Sequence, residues 1–162
     1  MAYDDRGNWT SGHVGVGILK GTKYGISAME FPSIDVANIS MDYAETIYFS
    51  KYWPAFMEEL PDPIAFLTFD AEVNSGLTVG SVLLQETVGA YVDGDVGDLT
   101  IKAMNLYLKS HIMLEACVRY QALHLQKLAT FNVWADDRDG FINRNMNNIL
   151  VCSKLIKASE TA

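Results

Sequence analysis

Cysteine, histidine and basic side chains are all scarce in this chain, and each scarcity closes off a class of function. Only two cysteines, Cys117 and Cys152, occur among 162 residues. Both sit in segments of helical, apolar character and read as buried thiols rather than as a disulfide. Two cysteines and three scattered histidines offer no ligand spacing for a metal, so neither a metal nor a cofactor is expected. Lysine and arginine number 12 against 20 aspartates and glutamates, a formal net charge of −8, and no basic run occurs. Nucleic acid is disfavoured as a partner, because neutralising phosphates needs clustered cations. Simple electrostatic attraction to an anionic wall or membrane is disfavoured as well. No apolar run approaches the roughly 20 residues of a membrane span; the stretches around Phe66 and Leu83 are cut by Asp70 and Glu86. The opening Met1-Ala2-Tyr3-Asp4-Asp5-Arg6 has no basic start followed by an apolar block, so no secretory signal is read in it.

What is present is a chain 49% hydrophobic and 20% charged, the composition of a globular domain with a real core. One domain over 1–162 is the expectation. Residues 1–27 are rich in glycine, and the alternation of Val14, Val16 and Ile18 with Gly15, Gly17 and Leu19 predicts a small hairpin there. From Ser40, which can cap, Ala44, Ile47, Tyr48 and Tyr52 recur at helical spacing until Pro54. Asp62-Pro63 predicts a second helix start, with Asp62 accepting from free amides. The segment Ile64 to Val73 is apolar on nearly every side, which marks a central, buried helix. Thr78 begins another helix that ends near Gly89. A Gly and Asp loop follows over 89–98, and Asp98 caps a helix to about Lys109. Leu114, Cys117, Val118, Leu125 and Leu128 predict one face of a long helix; a polar break at Asp136 to Gly140 separates it from a last helix over Phe141 to Lys157. The expected fold is mainly α with a small N-terminal β-hairpin, a plan shared by many helical folds.

Several ordered segments narrow this. Asp5-Arg6-Gly7-Asn8-Trp9-Thr10 precedes Gly21-Thr22-Lys23-Tyr24-Gly25-Ile26-Ser27. Tyr48 and Tyr52-Trp53 come next, then Leu60-Pro61-Asp62-Pro63 and Phe69-Asp70-Ala71-Glu72-Val73-Asn74-Ser75-Gly76. Leu84-Gln85, Val92-Asp93-Gly94-Asp95-Val96-Gly97 with Thr100, and Gly140-Phe141-Ile142-Asn143-Arg144 complete the series. In this order the segments resemble glycoside hydrolase family 108, phage-type N-acetylmuramidases and endolysins with a C-terminal peptidoglycan-binding region. The resemblance implies a lysozyme-like helical domain, with 1–88 as the muramidase-like part and 89–162 as the peptidoglycan-binding helical part. It also implies cleavage of the β-1,4 bond between N-acetylmuramic acid and N-acetylglucosamine.

Such cleavage needs a proton donor of raised pKa and a second group that stabilises positive charge or orients water. The family's donor is the glutamate of a Glu-Gly-Gly-Tyr motif, and counting back from Asp5 at the family's spacing places it before Met1. Asp5 then corresponds to the second carboxylate and Thr22 to the family's site threonine, an ancestral catalytic pair. Tyr24, Trp9 and Asn74 are the candidate substrate-binding residues. Glu30, Asp35, Asp70 and Glu72 are the carboxylates weighed as replacement acids, and none has a pattern partner. A carboxylate turn over Asp93 to Gly97 lacks the distal bidentate Glu of a calcium loop. The expected function is a phage or prophage lysozyme-like protein, non-catalytic, serving as a peptidoglycan-binding or virion structural component. The alternative is an active endolysin whose acid is supplied upstream of Met1 or by another group. The expected partner is peptidoglycan, with phage structural proteins or a homo-oligomer as further candidates. The expected location is the host cytoplasm or the virion, with any action at the bacterial cell wall.

Overall fold

Glycine and short polar residues at the start of the chain, and apolar helical repeats after it, divide the structure accordingly. The computed structural model describes residues 5–131 and 134–161. The chain folds into two compact units, the first ending at Lys51 and the second beginning at Tyr52.

In the first unit, a single 3-10 turn, Arg6–Asn8, is capped by the Asp5 carboxylate. Trp9 pairs with Leu19 in an isolated antiparallel bridge. Strands β1 (Thr22–Lys23) and β2 (Ile26–Ser27) pair antiparallel, with Thr22 opposite Ser27 and Lys23 opposite Ile26. Tyr24 and Gly25 join them with φ of 52° and 80°, the doubly positive turn that matches the twist of a two-residue hairpin. The hairpin therefore lies later than the alternation over Val14 to Leu19 predicts. Gly15 and Gly17 both take positive φ, which folds that stretch into turns and leaves Val14, Val16 and Ile18 exposed. After a 3-10 turn at Val36–Asn38, helix α1 runs over Met41–Tyr52. The Ser40 hydroxyl accepts from the Tyr43 amide at 3.1 Å, which satisfies one of the free donors at the helix start. Ile26, Val36, Ile39, Ala44 and Ile47 form this unit's core, with Phe31, Ile34 and Tyr48 packed around them.

The second unit is helical: a 3-10 turn Ala55–Glu59, then α2 (Asp62–Ser75), α3 (Val79–Val88), α4 (Asp98–Tyr107), α5 (Met113–Leu128) and α6 (Trp134–Glu160). The apolar cover of α2 has the consequence its sequence predicts, because this helix packs against α3, α5 and α6. Ile64, Leu67, Ala71, Leu83, Leu84, Met104 and Tyr120 fill the core between them. Cys117 and Cys152 are buried free thiols in the same core.

Four local expectations are corrected. The cap of α2 is Pro61, without a side-chain hydrogen bond, so Asp62 sits in the first turn and complements the helix dipole only by its charge. Gly97 likewise takes the cap of α4, with Asp98 as the first helical residue. The buried face of α5 is Ala116, Cys117, Tyr120, Gln121, His124 and Leu128, whereas Leu114 and Val118 are exposed. Its polar members hid this face from a hydrophobic pattern. The segment Asp136 to Gly140 is no break, because α6 runs through it from Trp134. Asp136 and Asp137 in the first turn favour the helix start, and Trp134 stacks on Phe141 at 5.9 Å across the segment.

Candidate functional site

Asp5, Trp9, Thr22 and Tyr24 all lie in the first unit, and Asn8 organises them. The Asp5 Oδ1 accepts from the Gly7 amide at 2.8 Å and so closes the turn that carries Asn8. The buried Asn8 side chain accepts from the Thr22 hydroxyl at 2.9 Å. Its carbonyl accepts from the Lys20 and Gly21 amides, both at 3.0 Å. The aspartate turn and the threonine strand are thus joined through one asparagine. Asn8 lies within the Asp5 to Thr10 segment that carries the resemblance, but nothing in its residue type singles it out from the neighbouring turn formers.

Trp9 is 6% exposed, a core position whose ring faces protein rather than solvent. Tyr24 is different. It is 47% exposed, its backbone carbonyl accepts from the Tyr48 hydroxyl at 3.0 Å, and Lys23 Nζ lies 5.3 Å from its ring centroid. A ring presented at a fixed turn, with a cation beside it, can stack on a planar or pyranose face.

Asn74 belongs to the second unit, near the end of α2, where its Nδ2 is buried without a hydrogen-bond partner. Around it α2, α5 and α6 share a polar junction. Asp70 accepts from Arg144 at 2.7 Å and from Asn148 at 2.7 Å, and the second guanidinium contact, Nε to Oδ2 at 3.2 Å, makes the pair two-pronged. Ser75 Oγ and His124 Nε2 are 2.8 Å apart. Burial holds the His124 imidazole below its ordinary pKa; Asp70 pulls it back up, and Arg144 lowers it further. Asp70 and Arg144 stand out in the sequence as motif residues. Their pairing, and the parts of His124 and Asn148, do not, because the hydrogen-bonded partners are 49 to 78 residues apart in the chain.

The replacement acids are dispersed and engaged. Glu30 pairs with Lys51, and Asp35 accepts from Asn38 at 2.9 Å. Asp70 holds Arg144 and Asn148. Glu72 is the carboxyl that burial pushes above the ordinary range, against a lowering hydrogen bond from Ser81 at 3.2 Å. It is 3% exposed, enclosed where Gly80 of α3 comes close to α2.

In the loop between α3 and α4, Gln85 does the organising. Its amide nitrogen donates to Asp93 Oδ1 at 2.7 Å and to the Asp95 carbonyl at 3.0 Å, and its oxygen accepts from the Asp93 and Gly94 amides. The Asp95 amide and then Gln85 hold the Asp93 carboxyl below the ordinary range. Leu84-Gln85 and the 92–97 loop are therefore one structural device, and the glutamine explains why they occur together.

The geometry of the first unit and of α2 coincides with a match to known sequences: residues 2–76 fit the model of the family described as Glycosyl hydrolase 108. Over this segment the chain is similar to the glycosyl hydrolase 108 family. The matched stretch contains Asp5, Asn8, Thr22 and Tyr24 and closes at the end of α2. No curated protein matches the chain. Among solved structures, that of Brucella abortus SagA is similar, with a TM-score of 0.71 at 20% identity over 83% of this chain and 80% of that one. The likeness to SagA is one of fold, and it extends beyond the family-matched segment into the helices that follow.

Proposed function

We propose that this glycosyl hydrolase 108 relative binds peptidoglycan without cleaving it. The observation that carries the proposal is the state of the carboxylates. Cleavage needs an acid that holds its proton near neutrality and reaches a glycosidic oxygen. Among the described residues, the carboxyl with raised proton affinity is Glu72, and it is buried between helices. Glu30, Asp35 and Asp70 are each committed to a neighbouring side chain. What the first unit does offer is a saccharide-facing set: the exposed Tyr24 ring on its rigid turn, and Thr22 fixed by Asn8. Asp5 retains the ancestral position of the second carboxylate while serving as a turn cap. A phage or virion setting, with the protein acting at the bacterial cell wall as a structural or binding component, fits this reading.

The test uses purified cell-wall sacculi. The chain is expected to cosediment with them and to release no reducing sugar, and Tyr24→Ala should lower the bound fraction several-fold while the circular dichroism spectrum stays unchanged. Steady release of reducing ends would show an acid at work and overturn the non-catalytic reading. Absence of cosedimentation would overturn the binding reading.

A further inference from the structure

Helix α6 presents to solvent a seam that the polar junction does not use. Asp139, Ile142, Met146, Leu150, Ser153 and Lys157 recur at intervals of three and four and so share one face of the helix. Asn145, Asn148 and Cys152 form the buried face. Ile142, Met146 and Leu150 are all exposed, Leu150 at 61%. Past Leu150 the seam opens into a groove of about 740 Å³ walled by Ile112, Leu114, Ser153, Ile156 and Lys157. The charges at the two ends are opposite: Asp136, Asp137 and Asp139 outnumber Arg138 at the start of the helix, and Lys154 and Lys157 outnumber Glu160 at its end.

We propose that this seam pairs antiparallel with the same seam of a second copy. An antiparallel pair centred at the level of Asn148 sets Met146 beside the partner's Leu150, and Leu150 beside the partner's Met146. It brings the partner's Ile142 to the mouth of the groove at Ser153. It also sets Asp139 against the partner's Lys157 at both ends, whereas a parallel pair would place Asp139 against the partner's Asp139. The local ion pair of Asp139 with Arg138, 3.1 Å apart, is largely exposed and offers little competition. Charge complementarity thus selects both the occupant and its direction. Three apolar side chains cover much less than the roughly 800 Å² per partner of a stable interface. The dimer is therefore weak and reversible, with a dissociation constant on the order of 10 μM to 1 mM.

Sedimentation equilibrium of the full chain over that concentration range tests the pairing. The mean mass should rise from monomer toward dimer. Met146→Glu should raise the dissociation constant by about tenfold or more by setting carboxylates into the seam. Asp139→Lys and Lys157→Asp should each weaken association, and the two together should restore it. All these positions are on the surface, so circular dichroism should show each variant folded. A wild-type chain that stays monomeric at about 1 mM, a dimer indifferent to Met146→Glu, or a charge-exchanged double variant no tighter than the single variants would each overturn the proposal.

Discussion

Two residues show how closely the helices of the second unit constrain one another. Gly80 lies in α3 where a side chain would normally help, since alanine is favoured over glycine in a helix by about 0.5–1 kcal/mol. Here a Cβ would stand 2.4 Å from the Thr68 carbonyl and 2.7 Å from Glu72 Cγ. The Tyr120 hydroxyl also donates to the Gly80 carbonyl at 2.9 Å, which leaves the backbone little room to retreat. Gly80→Ala is therefore expected to destabilise by roughly 1–3 kcal/mol in urea titration, and a stabilised variant would show that α2 and α3 do not touch there. His124 sets a pH dependence of definite sign. Its folded pKa is lowered by burial, so the unfolded chain takes up the proton first. Its contribution to stability is complete above the ordinary histidine value of about 6.5 and is lost as pH falls below it. Asp70 and Arg144 face it from α2 and α6, and Ser75 holds its Nε2. The urea midpoint should fall between about pH 7.5 and pH 5.5, and it should fall less in His124→Gln; an equal fall in both would assign the effect to other groups.

Helices were legible where one physical signal decided them. The unbroken apolar cover from Ile64 to Val73 announced α2 as central, and Ser40 with Pro54 bounded α1. Leu67, fully buried between the neighbouring helices, is the residue on which that placement is measured: Leu67→Ala should cost about 2–5 kcal/mol by leaving a cavity, and a loss below about 0.5 kcal/mol would put α2 at the surface. Elements whose signals conflicted were misplaced. Valine alternation suggested a strand over Val14 to Ile18, but the interleaved glycines adopt positive φ and bend the chain away from extension. The acidic run at Asp136 resembled a break, although acids in a first turn favour a helix. On α5 the buried face carries Gln121 and His124, and a pattern search for apolar residues passes over them. The candidate site was legible as motif pieces, Asp5 to Thr10 and Gly21 to Ser27. The hydrogen bond through Asn8 that joins them needed the tertiary structure, as did the exposure that separates Tyr24 from Trp9.

At the scale of the whole molecule, the excess of acidic groups bears directly on how peptidoglycan could be held. A chain of net charge −8 and isoelectric point near 4.7 meets an anionic wall polymer against a repulsive mean field. The proposed binding would then rest on short-range contacts, an aromatic face such as Tyr24 and hydrogen-bonding groups such as Thr22, that act only after close approach. Salt separates the two contributions. The screening length shrinks from about 30 Å at 0.01 M to about 8 Å at 0.15 M, which removes most of the long-range repulsion and leaves stacking and direct hydrogen bonds nearly untouched. Binding to purified sacculi is therefore expected to strengthen, by about twofold or more, as ionic strength rises over that interval. A binder that relied on lysine and arginine would weaken over the same interval. Cosedimentation at the two ionic strengths, with Tyr24→Ala beside the wild type, decides between them. A bound fraction that drops with salt would mean that a local cluster of cations, such as Lys20 and Lys23 near the hairpin, carries the interaction in place of the tyrosine face.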